Sequence, residues 1–184
     1  MRNINWPKWP QYGREEYFAV QRVIESNQLF ADKEVREFEY KFSKYVGCKY
    51  ALGVGNATEG LHLSLIALGV GAGDEVIVTS YSWISTASCI LMQNAVPVFC
   101  DIEEESLGIC PVDIERKISH RTKAIIFVHM FGYLARVEDV INLSKNIISR
   151  LLRMHPMHMG PVSIILKQEI LEIYQYLAST KENL

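Results

Sequence analysis

Three short segments constrain this chain more than any others. Glu75 to Val78, Val96 to Cys100 and Ala124 to Val128 are nearly uninterrupted apolar runs. Strands with one wet face alternate apolar and polar residues. Continuous apolar strands belong to sheets covered on both sides, usually parallel and joined by helical crossovers. Tyr50 to Val54 reads as a further strand ahead of them. Helical periodicity fills the intervals, at Ala57 to Leu68 (stopped by Gly69), Trp83 to Leu91, Val112 to Ile118 and Val137 to Lys145. Upstream, Glu15 to Ser26 has an apolar face of Ala19, Val20, Val23 and Ile24. Val35 to Tyr45 repeats the pattern through Phe38, Phe42 and Tyr45 and ends at Gly47. The expected class is α/β, with ligands near the carboxyl ends of the strands.

Composition narrows the function classes. The 184 residues carry 19 Lys+Arg against 21 Asp+Glu, a net charge of -2. That balance argues against bulk binding to nucleic acid or to a membrane surface. Hydrophobic residues make up 49% of the chain and are spread along it, so an ordered core is expected. Cys48, Cys89, Cys100 and Cys110 form no CxxC pair and sit in apolar surroundings. They read as free, buried thiols of a reducing compartment, and the expected location is cytoplasmic. No run suits a spanning helix. Residues 1–13 read as an extended arm with Trp6, Pro7, Trp9 and Pro10.

The chemistry-bearing candidates lie between strands and helices. Gly53, Gly55, Asn56, Ala57 and Thr58 offer small residues at a helix start, where free N–H groups attract phosphate. Asn56 or Thr58 equally suits capping that helix; neither a P-loop nor a dinucleotide fingerprint is present. Trp83, in Thr79-Ser80-Tyr81-Ser82-Trp83, can stack on a planar ligand or close the core. His129, at a strand end before Gly132, is either a site residue or a satisfied structural histidine. His62 and His120 have no convergent partners. Glu103, Glu104 and Glu105 read as a solvated turn. Met154 to Met159 holds soft donors, but Pro156 interrupts any helical face, so no metal site is expected.

Taken in order, many blocks resemble the DegT/DnrJ/EryC1/StrS aminotransferases, pyridoxal-phosphate enzymes of fold type I. They include Gly55-Asn56-Ala57-Thr58-Glu59-Gly60-Leu61, Gly73-Asp74-Glu75-Val76-Ile77-Val78, Ser80 through Ala87, Val96-Pro97-Val98, Arg121 through Ile126, and Val128-His129 with Gly132. The resemblance implies the large, three-layer domain of such an enzyme, with an incomplete parallel or mixed sheet. It implies that Ala57 and Thr58 bind the cofactor phosphate, that Trp83 stacks on the pyridine ring, and that Asn56 and His129 lie close by. The family usually has glycine where Ala57 stands. Members are homodimers that pass an amino group, typically from glutamate, to a nucleotide-linked keto sugar in amino-sugar and surface-polysaccharide biosynthesis. Related sugar dehydratases use the same scaffold with histidine in place of the lysine that bonds the cofactor. A non-enzymatic fragment or interaction protein is the third alternative.

The family's aspartate block (Glu-Asp-Ala-x-x-Ala-x-Gly) and lysine block (after Gly-Asp-x-x-x-Phe-Ser-Phe) are both missing, so no catalytic residue is assigned. The tail from residue 149 changes character, although Ile170 to Leu177 has helical potential. A shifted frame takes the last base of one codon with the first two of the next. Met154-His155 and Met157-His158 then force GCA, alanine, and Met159-Gly160 forces GGG, glycine. The neighbours permit Glu-Asp-Ala-Ser-His-Ala-His-Gly, and Leu171 to Ser179 permits Gly-Asp-Ile-Ser-Val-Phe-Ser-Phe in the same frame. The expected organisation is an arm (1–13), the first part of a cofactor-binding large domain (14–148) and an out-of-frame tail (149–184), without the small C-terminal domain.

Overall fold

The computed structural model describes residues 11–30, 33–47, 49–130, 135–147, 150–154, 162–166 and 170–173. Two units can be distinguished, one holding the first two helices and the other running from Val54 to the last strand. The first unit consists of α1 (Arg14–Ser26) and α2 (Lys33–Val46). Arg22 Nη2 lies 3.4 Å from Glu34 Oε1, an ion pair from one helix to the other. Along α2, Phe38 and Phe42 lie ring to ring at 5.5 Å. Gly47 ends α2 with φ at +79°, a value that favours glycine.

Tyr50 to Val54 does not form the expected strand. Its backbone is engaged elsewhere, because the N–H of Gly53 donates to Glu39 Oε1 at 2.7 Å. Tyr50 and Leu52 are exposed, so these two side chains gain nothing from burial.

The second unit is α/β. Its elements are α3 (Ala57–Ala67), β1 (Glu75–Thr79), α4 (Ser85–Leu91), β2 (Val96–Cys100), α5 (Pro111–Lys117), β3 (Thr122–Val128) and α6 (Val137–Ile147), then β4 (Arg150–Met154), β5 (Val162–Leu166) and β6 (Ile170–Ile173). The sheet order is β2-β1-β3-β4-β5-β6. β1 pairs in parallel with both β2 and β3, and β3 pairs in parallel with β4. β5 is antiparallel to β4 and β6, so the sheet is mixed. Ile170 to Ile173 is therefore a strand, not the start of a helix. Its residues pair one by one with Val162 to Ile165, which satisfies backbone groups that so short a helix would leave open.

β1 is buried along its length, as is β3 except at Lys123. Their side chains alternate between two cores. Val76, Val78, Ala124, Ile126 and Val128 meet Leu61 and Leu65 of α3 and Cys89 and Ile90 of α4. Ile77, Ile125 and Phe127 meet Ile114 of α5 and Val140 of α6. The result is three layers, helices on each side of a sheet. β2 departs from the continuous-burial pattern: it is an edge strand, and Val96 and Phe99 are exposed. At the opposite end of β1, the buried carboxylate of Glu75 is held by Arg121 Nη2 at 2.5 Å and by the Ser119 hydroxyl. That pairing offsets the cost of burying its charge.

One surface carboxylate fixes the end of β2. Asp113 Oδ2 accepts the N–H of Asp101 at 2.8 Å and pairs with Lys117 Nζ at 2.7 Å. The Asp101 amide, and after it Lys117, lower its pKa from 3.8 to about 2. A depressed carboxylate stabilises the fold above its unfolded pKa and loses that contribution as pH falls through the folded one. Asp113→Asn is expected to be less stable than the parent chain near neutral pH. Urea titrations at stepped pH should show the gap closing between 3.8 and about 2; a gap independent of pH would contradict this assignment.

Candidate functional site

The strand order places a switch point between β1 and β3. The chain leaves β1 for α4 on one face of the sheet, and leaves β3 for α6 on the other. Loops that part in opposite directions open a crevice at the carboxyl edge, where α/β folds bind ligands. Trp83 lies on the exit from β1, and His129 is the first residue after β3. α3 enters β1 through a short connection with Leu61 and Leu65 on the sheet. It therefore runs opposite to β1, and its amino end comes to this same edge. Ala57, at that end, and Met130, just after His129, both pack against the same core.

The amino end of α3 is built by its own residues. Asn56 is extended and its Oδ1 accepts the N–H of Glu59 at 3.0 Å. The Glu59 carboxylate reaches back to the N–H of Gly55 at 2.9 Å and to Asn56 Nδ2 at 3.1 Å. A Cβ on Gly55 would sit 2.7 Å from Glu59 Oε2, so glycine leaves room for this clasp. Ala57 and Thr58, both half-buried, carry two of the orphan N–H groups of a helix start. Asn56 thus caps the helix, and Ala57 and Thr58 carry N–H groups of its first turn. Glu59 is the functional surprise of this turn. Its signal was there, since Asn-x-x-Glu before an apolar run has the spacing of a capping box.

Trp83 is 78% exposed, so it does not close the core. The helix expected from residue 83 begins only at Ser85. The carbonyl of Trp83 accepts the N–H of Thr86 at 3.0 Å, and Ser82 Oγ lies 2.7 Å from Thr86 Oγ1. The indole therefore projects from a loop that is hydrogen-bonded at its base. A planar aromatic on a rigid base, open on its faces, suits stacking.

His129 is fully buried. Its Nδ1 accepts the N–H of Ala135 at 2.9 Å, and its ring stands edge-on to Phe127 at 5.5 Å. It is a satisfied histidine within the floor of the edge. The acidic turn is not merely solvated: Glu103 pairs with Arg136 at 3.2 Å and accepts from Ser106, while Glu104 and Glu105 are exposed. Cys89 and Cys100 are free and buried. Burial pushes each thiol up to about 12, which removes the thiolate needed for nucleophilic chemistry. Cys48 lies outside the described residues, as does the Met154 to Met159 run apart from Met154. Among the described residues no three of His, Cys, Asp or Glu gather as metal ligands, and no helix is long and apolar enough to cross a membrane.

Residues 10–148 match the model of the DegT/DnrJ/EryC1/StrS aminotransferase family. The chain is 36% identical over 152 residues to the L-glutamine:2-deoxy-scyllo-inosose aminotransferase of Streptomyces fradiae, covering 79% of this chain and 36% of that protein. It is 39% identical over 137 residues to the spore coat polysaccharide biosynthesis protein SpsC of Bacillus subtilis (strain 168), covering 74% and 35%. The chain thus spans roughly a third of the length of these relatives. Among solved structures, 3-amino-5-hydroxybenzoic acid synthase superposes with a TM-score of 0.75 at 33% identity, over 77% of this chain and 38% of that one.

The two aromatic residues at this edge should respond differently to truncation. Trp83→Ala removes an exposed ring and is expected to change unfolding free energy by less than about 0.5 kcal/mol. His129→Ala leaves a cavity beside Phe127 and strands a buried N–H, a loss of about 2–4 kcal/mol. Urea unfolding measures both; equal effects would contradict the assigned environments.

Proposed function

This chain belongs to the DegT/DnrJ/EryC1/StrS aminotransferase family, and on that premise we propose that it is the first part of a sugar aminotransferase, inactive as written. The intact enzyme would pass an amino group from glutamate to a nucleotide-linked keto sugar, in amino-sugar or surface-polysaccharide biosynthesis. The observation that carries this reading is the meeting of the α3 amino end with the exits of β1 and β3 at one carboxyl edge.

The residues present suit two parts of the family's cofactor, pyridoxal phosphate. Orphan amides at a helix start favour a dianionic phosphate, and Ala57 and Thr58 would hold it, with the Thr58 hydroxyl as a further donor. Asn56 keeps the turn shaped by capping it. Trp83 would cover one face of the ring. His129, buried behind the edge, would form part of the wall. When bound, the cofactor supplies an electron sink for moving a proton at the amino-bearing carbon. That chemistry also needs a lysine to bond the cofactor and a carboxylate beside the ring nitrogen. The blocks that carry both are written, in this reading, in another frame.

The tail from residue 149 is in this reading an out-of-frame translation, with the frame change at residues 146–150. Three forced codons and two family blocks in one frame support it. The frame also runs on: Glu182 ends in A or G and Asn183 begins AA, so AAA, lysine, is permitted shortly after the second block. The small domain and the homodimeric arrangement of the family would belong to the in-frame product.

Purified chain mixed with glutamate and pyridoxal phosphate is expected to give no pyridoxamine spectrum; clear conversion would overturn the inactive reading. Resequencing the gene across codons 146–150 tests the frame, and an uninterrupted conventional gene there would remove that part. The product of a frame-corrected gene should convert the cofactor, and a donor series on it decides between glutamate and the glutamine named for the Streptomyces relative.

A further inference from the structure

The excursion between β2 and α5 touches the carboxyl edge at a point that local sequence does not announce. Ile102 and Ile109 pair across it in antiparallel fashion, which brings Gly108 inward. Gly108 is buried. A Cβ there would lie 2.6 Å from the Cβ of Ala135 and 2.9 Å from its Cα. The second of these is backbone, so no side-chain rotation relieves the overlap. Ala135 is itself buried, and its N–H is the group that donates to His129 Nδ1 at 2.9 Å. One residue further on, Arg136 Nη1 reaches Glu103 Oε1 of the same excursion at 3.2 Å. Arg136 Nη2 also reaches Asp139 of α6 at 2.7 Å.

We propose that Gly108, with the Glu103–Arg136 ion pair beside it, is a positioning device for His129. The bare backbone at residue 108 lets the excursion seat Ala135 so that its amide meets Nδ1. A neutral imidazole accepting at Nδ1 carries its proton on Nε2. The device therefore sets both the ring orientation and the tautomer. The one lone pair of the neutral ring is then engaged by the Ala135 N–H, so His129 cannot serve the carboxyl edge as a base. Only this consequence rests on reading the edge as the cofactor site; the tautomer itself does not.

The test uses the full chain with 15N-labelled histidine. In the parent chain, NMR is expected to show His129 with a pyridine-like Nδ1 and a protonated Nε2; the opposite tautomer would overturn the proposal. Gly108→Ala should shift His129 towards a mixture and speed Ala135 amide exchange roughly tenfold. Adding Ala135→Gly removes the methyl that the new Cβ meets and should return part of the signal. Arg136→Ala disturbs the brace from the surface, and decides the matter if Gly108→Ala does not fold. His129 resonances and Ala135 exchange unchanged in every folded variant would overturn the proposal. A parallel titration with pyridoxal phosphate separates the two readings: no binding by the parent chain would remove the cofactor role while leaving the tautomer measurement intact.

Discussion

β1 and β3 lie side by side, parallel, with both faces shut off from water. Most of what surrounds them follows from that pairing. Parallel neighbours cannot be joined by a tight turn, so each must be left through a crossover that packs a helix on the sheet. Ile77, Ile125 and Phe127 need one helical layer, and Val76, Val78, Ala124, Ile126 and Val128 need another. Burying side chains of this size stabilises the fold by about 1.5–3 kcal/mol each, set against the entropy of ordering the chain. The one charge buried in β1, Glu75, stays only because Arg121 and Ser119 meet both of its oxygens.

The same constraint makes the site. Because the crossovers from β1 and β3 go to opposite faces, their loops part at the carboxyl edge, the place where α/β folds bind ligands. α3 runs against β1, so its amino-terminal N–H groups come to the same edge. Rigid strands thus hold loops that carry no regular structure of their own. The excursion after β2 adds a brace from the side, through a contact that works only because residue 108 has no side chain.

The last three strands stand apart. If the tail is read out of frame, its backbone still pairs into the sheet. Such pairing needs no selected side chain, because ladder hydrogen bonds are made by backbone groups that every residue but proline carries in full. Leu151-Leu152 and Val162 to Leu166 are apolar enough to accept such a place. Pairing alone is therefore no mark of selection for function.

The residues by themselves determined the layers. Runs too apolar for a wet face, spaced by helical periods, leave few alternatives to a covered parallel sheet. They also marked the α3 turn, because capping chemistry is local and appears in adjacent letters. They misplaced Tyr50 to Val54, whose backbone amide at Gly53 goes to a glutamate on α2. They could not tell an exposed Trp83 from a core tryptophan, since burial depends on what lies opposite. Nor could they tie His129 to Ala135, or Ala135 to Gly108, which is 27 positions away. Those contacts exist only once two separate connections, β2 to α5 and β3 to α6, have been folded onto one edge. Periodicity reports which face of an element turns inward, while a steric fit between distant backbones is decided by the tertiary structure alone.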